Sequence, residues 1–260
     1  MAIKVVKFGG SSLASAASFR QAREIVLADP ARLYVIPSAP GKRFMGDDKV
    51  TDLLYLCYAQ FSQGLEFETT FHMIEERYLE IEAGLGLNTN IQAELSAIKR
   101  NIEGGASQDY VASRGEYLNG LLLADYLGFT FLDAAELICF HSDGTYDDET
   151  TQHWTQRLEK QTKAVIPGFY GRRRDGSIKT FSRGGSDITG SIVARAVQAD
   201  VYENWTDVSG FLMADPRIVD NPKAIKVVTY SELRELAYMG ATMLHEDSIF
   251  PVRRAQIPIN

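Results

Sequence analysis

The chain has 260 residues, 45% of them hydrophobic and 23% charged, and its 27 Lys and Arg against 34 Asp and Glu leave a formal charge of -7. Those totals fit a globular protein built as one large domain or two lobes, able to bury roughly three quarters of its unfolded surface. They exclude a protein that binds nucleic acid or membrane through a broad basic field, so any anion site must be local. Cys57 and Cys139 offer neither a metal spacing nor a disulfide framework, which fits a reducing cytosol. His72, His141, His153 and His245 form no H-E-x-x-H pattern, so no metal ligands are assigned. No apolar run reaches about 18 residues, and Met1-Ala2-Ile3-Lys4 enters a strand directly, so neither a transmembrane helix nor a signal peptide is expected and the protein reads as cytoplasmic.

Ile3 to Phe8 reads as a buried strand that runs straight into Gly9-Gly10-Ser11-Ser12, after which a helical pattern begins near Ser15 and stops at Asp29-Pro30. Leu33 to Ile36 is a second buried strand, ending at Pro37-Ser38-Ala39-Pro40-Gly41. Strand, helix and strand within so short a stretch make a βαβ unit, whose ligands lie beyond the carboxyl ends of parallel strands, where Gly9-Gly10 and Ser38 fall. The loop from Gly41 to Lys49 reads as polar and flexible, with Asp47, Asp48 and Lys49 as a solvated face. Helices follow over Val50 to Phe61, Phe67 to Ala83, Ile91 to Ile102 and Tyr110 to Leu127, an excursion from the first lobe. Strands resume at Phe129 to Leu132 and Leu137 to Phe140, then a helix from Thr150 to Gln161 and a strand at Ala164 to Ile166. Phe169 to Phe181 is a hairpin turning at Asp175-Gly176, an edge whose Arg172, Arg173 and Arg174 keep it soluble or clamp a phosphate. Arg183-Gly184-Gly185-Ser186-Asp187 then repeats the glycine turn ahead of a helix over Ile188 to Ala199, with Asp187 as a plausible N-cap. A strand over Val201 to Trp205, a loop through Asp215-Pro216-Arg217 and a capping box at Thr229-Tyr230-Ser231-Glu232 lead to a helix ending at Met239. A last helix near Ser248 to Ala255 precedes Ile257-Pro258-Ile259, which starts a strand.

Each glycine turn gathers backbone N–H groups, a helix N-terminus and a cation around one point, as a phosphate requires. The familiar phosphate motifs are absent. Gly185 to Ser191 has P-loop spacing without the lysine, no G-x-G-x-x-G follows a strand, and H-R-D and D-F-G are missing. Two basic glycine turns in one chain suggest a site where two anions meet.

Lys7-Phe8-Gly9-Gly10-Ser11-Ser12, Ser113-Arg114-Gly115-Glu116, Arg183-Gly184-Gly185-Ser186-Asp187 and Trp205-Thr206-Asp207-Val208 closely resemble, in order and spacing, the aspartate kinases of the amino-acid kinase family. Asp215-Pro216-Arg217 and Gly240-Ala241 with Leu244-His245 extend the match over nearly the whole chain. The resemblance implies a three-layer αβα sandwich around a mostly parallel sheet, the carbamate-kinase-like fold. It implies transfer of the γ-phosphoryl group of ATP, with Mg²⁺, to the side-chain carboxylate of L-aspartate, the first step toward lysine, threonine and methionine, and a homodimer. Residues 1–165 are expected to bind the acceptor and residues 166–260 the nucleotide.

By that resemblance Lys7 stabilises the transferring phosphoryl with help from Gly9, Gly10 and Ser11, and Asp187 orients Lys7. Arg183 grips the acceptor carboxylate, Ser186 adds a hydrogen bond, Glu116 pairs with the ammonium group, and Ser38 and Thr51 supply further contacts. Thr206, Asp207 and Arg217 hold the nucleotide. Ser113-x-x-Glu116 also scans as a capping box, but apolar helix on both sides of it favours the binding role. A carboxylate nucleophile with a pKa near ~4 is already ionised at neutral pH, so no general base is needed, which accounts for the lack of a histidine motif. Two departures fall on the nucleotide side: Thr242 stands where many relatives carry lysine, and Leu212 where many carry tyrosine. The family usually continues into ACT domains that bind end-product, and this sequence stops where they would start. Two alternatives stay open: a sibling kinase acting on glutamate, acetylglutamate, carbamate or a nucleoside monophosphate, and a non-catalytic nucleotide- or amino-acid-binding module.

Overall fold

β1 (Lys4–Phe8) is the strand on which the molecule is assembled, because its two faces are both apolar and both covered. The computed structural model describes residues 2–156, 158, 163–182, 184–206, 219, 223, 225, 228–229, 232, 235 and 246–260. β1 lies between β2 (Arg32–Pro37) and β8 (Val201–Trp205), and β2 pairs in turn with β5 (Ala164–Val165) and β5 with β3 (Thr130–Phe131). Every pairing in this five-stranded sheet is parallel. Side chains alternate across it: Val6, Phe8 and Val35 enter one core, Val5, Tyr34, Ile36 and Tyr202 the other. The result is the αβα sandwich that the resemblance implies.

The first core is roofed by α1 (Ala16–Ala28) and by α2 (Val50–Ser62), α3 (Glu68–Leu85), α4 (Ile91–Glu103) and α5 (Gln108–Leu127). The helical excursion is therefore one layer of the sandwich. Ser15 and Ser107 accept N–H bonds at the starts of α1 and α5. Glu116 lies well inside α5, so Ser113 caps nothing there.

The second core is closed by α8 (Gly185–Ala196) and by α9 (Glu246–Arg254), which pack on each other. α8 starts three residues earlier than the sequence pattern suggests. Gly184 takes the N-cap position in a left-handed conformation, so Asp187 sits in the first turn and is not the cap. The first-turn placement still suits a carboxylate, because the helix dipole is positive there. α8 lies close on β8: a Cβ at Gly190 would sit 2.5 Å from Tyr202 Oη. Gly190→Ala should therefore cost about 1–3 kcal/mol in chemical unfolding, since the contact is against a buried ring held by its own hydrogen bond.

Beside the second core a small sheet joins β4 (Cys139–Phe140), β6 (Tyr170–Arg173) and β7 (Ile178–Thr180). The hairpin turns as expected, but it belongs to this second sheet. Its arginines are all engaged within the fold. Arg172 stacks on Trp154, Arg173 approaches Asp109 at 3.7 Å, and Arg174 approaches Asp147 at 3.3 Å.

Residues 137–140 divide into α6 (Ala134–Leu137), started by the Asp133 side chain, and the short β4. α7 (Asp148–Thr155) begins two residues before the expected helix because Asp147 caps Thr150; residues 157 and 159–161, which the expectation also covered, lie outside the described set. The capping box forms as expected, Thr229 N–H donating to Glu232 Oε2 at 2.8 Å and Glu232 N–H returning to Thr229 Oγ1 at 3.2 Å. The terminal segment pairs beside β8, Tyr202 N–H donating to Pro258 O and Asn260 N–H to Tyr202 O.

Candidate active site

The strands of the main sheet are parallel, so the carboxyl ends of β1, β2, β5 and β8 share one edge, and the loops that leave them make the site. Gly9 N–H donates to Trp205 O at 3.1 Å and Ser38 N–H donates to Phe8 O at 3.1 Å, which ties the exits of three neighbouring strands together. Gly10 O accepts from Gly41 N–H at 2.8 Å, and a Cβ at Gly10 would sit 2.7 Å from Ala39 O. Only glycine lets these two backbones approach so closely. Neither Gly10 N–H nor Ser11 N–H donates to a backbone carbonyl among the described residues. Both remain for an anion.

The second glycine turn reaches the same place. Lys7 Nζ lies 2.8 Å from Asp187 Oδ1, a contact between the last turn of β1 and the first turn of α8 that spans most of the sequence. Lys7 is 8% exposed, so its charge faces the site and is only thinly screened. Asp187 Oδ1 makes this ion pair yet has no well-aligned hydrogen bond. Ser186 is buried against the backbone of Gly168, just beyond β5. Thr206 is exposed immediately after β8.

Glu116 enters from α5. Its carboxylate accepts the Ala39 N–H, while Oε2 is buried with no hydrogen-bond partner. Burial pushes its pKa up to about 8, against the lowering effect of that N–H and of Arg114. A carboxyl group held in this condition suits a cationic ligand, which would supply the missing partner. Thr51 is half-buried in the first turn of α2, beside Val50, whose side chain packs near Gly115. Ser38 is half-buried at the end of β2.

Lys7, Gly9, Gly10, Ser11, Ser38, Thr51, Ser186, Asp187 and Thr206 thus lie along one sheet edge and at the helix starts beside it, and Glu116 reaches it from the middle of α5. Arg183, Asp207 and Arg217 lie outside the described residues, as do Leu212 and Thr242. No group of three or more His, Cys, Asp or Glu that could hold a metal occurs among the described residues. The Asp187 carboxylate by itself matches a cation that arrives already ligated by phosphate oxygens.

Four residues of the site neighbourhood escaped the sequence reading. Asn204 is paired in register with Lys7 on the adjacent strand, and its Oδ1 is buried without a partner. Asn119, three residues after Glu116 on α5, donates Nδ2–H to Ser38 O at 2.6 Å. Asp47 is not part of a solvated face: it is 8% exposed and bonded by Arg43 and by buried Arg77, with Arg43 first holding its carboxyl well below the usual range. A signal existed for Arg77, which falls on the apolar stripe Phe71, Ile74, Tyr78 and Ile81 of α3.

Among known proteins, the model of the amino acid kinase family matches residues 2–260. Aspartokinase 3 of Bacillus subtilis is 39% identical over 272 aligned positions, covering 99% of this chain and 60% of the relative. The crystal structure of Clostridium acetobutylicum aspartate kinase is 54% identical with a TM-score of 0.94, covering 100% of this chain and 59% of that one. Escherichia coli aspartokinase III in complex with aspartate and ADP superposes with a TM-score of 0.86 at 28% identity, covering 99% of this chain and 61% of that one. The chain therefore spans about 60% of the length of these three relatives.

Proposed function

The chain belongs to the amino acid kinase family, and on that premise we propose that it transfers the γ-phosphoryl group of ATP to the side-chain carboxylate of L-aspartate, giving 4-phospho-L-aspartate and ADP. The observation that carries this reading is the meeting of Lys7 and Asp187, which brings two glycine turns from opposite ends of the sequence to one point. The aspartate and ADP bound to the related Escherichia coli enzyme support the choice of reactants. In the pathway sense the product feeds the synthesis of lysine, threonine and methionine.

The chemistry asks little of the protein in proton transfer. The acceptor carboxylate attacks the γ-phosphorus, the bond to the β-phosphate oxygen breaks, and no proton moves. The barrier is the approach of an anion to a polyanion, so positioning and fixed positive charge do the catalysis. Lys7 supplies the charge where it builds up on the transferring group, and Asp187 keeps the ammonium aimed there. Gly10 and Ser11 offer N–H groups to the phosphate oxygens. Glu116 takes the ammonium of the amino acid, Ser38, Thr51, Ser186 and Arg183 hold its carboxylates, and Thr206, Asp207 and Arg217 hold the nucleotide. Among the described residues Asp187 would hold Mg²⁺, which would supply charge screening of the phosphates when bound. On this assignment residues 1–165 bind the acceptor and residues 166–260 the nucleotide, although Lys7, Gly10 and Ser11 reach the phosphates and Arg183 and Ser186 reach the acceptor. A cytoplasmic homodimer completes the proposal; among the described residues no helix is long and apolar enough to cross a membrane.

The test is formation of hydroxylamine-trappable acyl phosphate from ATP, Mg²⁺ and L-aspartate, compared with L-glutamate, N-acetylglutamate, carbamate and UMP. Trapped product from aspartate alone supports the assignment. Product from glutamate or N-acetylglutamate, or ADP release driven by carbamate or UMP, moves the protein to a sibling activity. Binding of aspartate and nucleotide without turnover makes it a binding module.

A further inference from the structure

The segment from Ser38 to Gly41 has nearly every backbone polar group taken up. Ser38 N–H donates to Phe8 O, Val50 N–H donates to Pro40 O and Gly41 N–H donates to Gly10 O. Three side chains from the helical layer finish the set. Asn119 donates to Ser38 O at 2.6 Å, Glu116 accepts from Ala39 N–H, and Arg77 Nη1 donates to Gly41 O at 2.9 Å. Asn119 and Glu116 grip opposite sides of a single peptide unit. Arg77 holds the far end, where Gly41 touches Gly10.

Arg77 is 4% exposed and belongs to α3, outside every motif of the site. Its Nη2 reaches Asp47 Oδ1 at 2.9 Å and Oδ2 at 2.8 Å. Arg43 approaches the same carboxylate through Nε at 2.9 Å and Nη2 at 3.0 Å, and reaches Glu80 through Nη1 at 3.0 Å. The base of the 42–48 loop is therefore fixed, while Phe44 and Met45 at its tip are 63% and 100% exposed. A guanidinium can serve Gly41 O and Asp47 together because its donors diverge in one plane; an ammonium on a shorter reach cannot do both.

We propose that Arg77, held by Asp47, is a positioning residue that sets the Gly41–Gly10 contact and so aligns the N–H groups of the first glycine turn with the acceptor. The inference rests on the reading of the site as a phosphoryl-transfer centre. The helical layer then has a task beyond covering the sheet: it pins the β2 loop on which both reactants register.

The experiment uses the full chain with Arg77→Lys, Arg77→Met and Asp47→Asn. Hydrogen exchange is followed at Gly10, Ser11, Ala39 and Gly41, together with thermal midpoint, kcat and both KM values. Arg77→Lys keeps the charge near Asp47 and should hold the thermal midpoint near that of the parent, yet exchange at Gly41, whose N–H is held by Gly10 O, should accelerate about tenfold or more. In the same variant kcat should fall about 10- to 100-fold with each KM changed by less than about threefold, the mark of misplaced reactants that still bind. Arg77→Met and Asp47→Asn should show the same split, with lower midpoints. Parent-like exchange or parent-like kcat in Arg77→Lys overturns the proposal. If the parent forms no acyl phosphate, the functional reading fails separately, and unchanged exchange then rejects the clamp while accelerated exchange upholds it as a device that sets the loop.

Discussion

Replacing Lys7 by methionine should lower kcat by about 10³-fold while each KM moves by less than about tenfold, a loss of the size seen when a preorganised charge is removed from a transition state. Lys7 is the described cation at the junction of the two turns, and its Nζ is placed by the rigid end of β1 and by Asp187 at 2.8 Å. Arg172, Arg173 and Arg174 are each committed elsewhere and cannot substitute. The variant leaves the Asp187 carboxylate at the start of α8 without its partner. Asp187 is only 19% exposed at its side chain, so stranding its charge should cost about 2–4 kcal/mol, eased in part by its place in a helix first turn. The double variant Lys7→Met/Asp187→Asn removes that stranded charge. It should recover the unfolding midpoint and recover no activity, which separates the chemical role from the structural one in a single cycle. A double variant that regained turnover would show that Lys7 served only to neutralise Asp187.

β1 and β2 were readable from the sequence because they are short, largely apolar and end at glycine or proline, and β8 because its Val201, Tyr202 and Trp205 follow directly on a helix. The long helices were readable from apolar spacing. What pattern could not supply was the start of α8: a helix that begins on Gly184-Gly185 has no side-chain cap to announce it, and the expected boundary fell at the first β-branched residue, Ile188. The division at residues 137–140 was hidden because α6 is a single turn fixed by Asp133, too brief to show a period. Motif residues identified the edge of the sheet where chemistry gathers. They left out Asp47, Arg77, Asn119 and Asn204, which act through tertiary contact. A polar residue that interrupts an apolar helix stripe, as Arg77 and Asn119 do, was the one local sign of them, and it reads equally well as a solvated face until the partner is known. Asp47 shows that error directly, since its charge was assigned to solvent and is in fact enclosed by two guanidiniums.

Binding of L-aspartate at pH 7 should release up to one proton, and the apparent affinity should rise with pH through the neutral range before levelling off above about pH 8. The cause is Glu116, a carboxyl group that desolvation raises from 4.5 to about 8. In the folded protein without ligand it stays protonated through neutral pH, whereas in the unfolded chain it ionises above 4.5. The unfolded state therefore binds fewer protons between those two values, and the contribution of this group to stability falls as pH rises through that window, by on the order of a few kcal/mol in total. An ammonium placed against the unpartnered Oε2 reverses the balance, because the ionised form then has a charge partner and the proton must leave. Ligand-induced stabilisation should accordingly grow from pH 6 to pH 8, opposite in sign to the trend of the free protein. Titration calorimetry at pH 7 in two buffers of different ionisation enthalpy measures the proton directly. Glu116→Gln should abolish both the release and the pH dependence and weaken aspartate binding by about 10²-fold at pH 8, while raising the stability of the unliganded protein at that pH. Succinate, which lacks the ammonium group, should bind without releasing this proton to parent and variant alike. Equal proton release from aspartate in the parent and in Glu116→Gln would place the titrating group elsewhere and remove Glu116 from the amino-acid subsite.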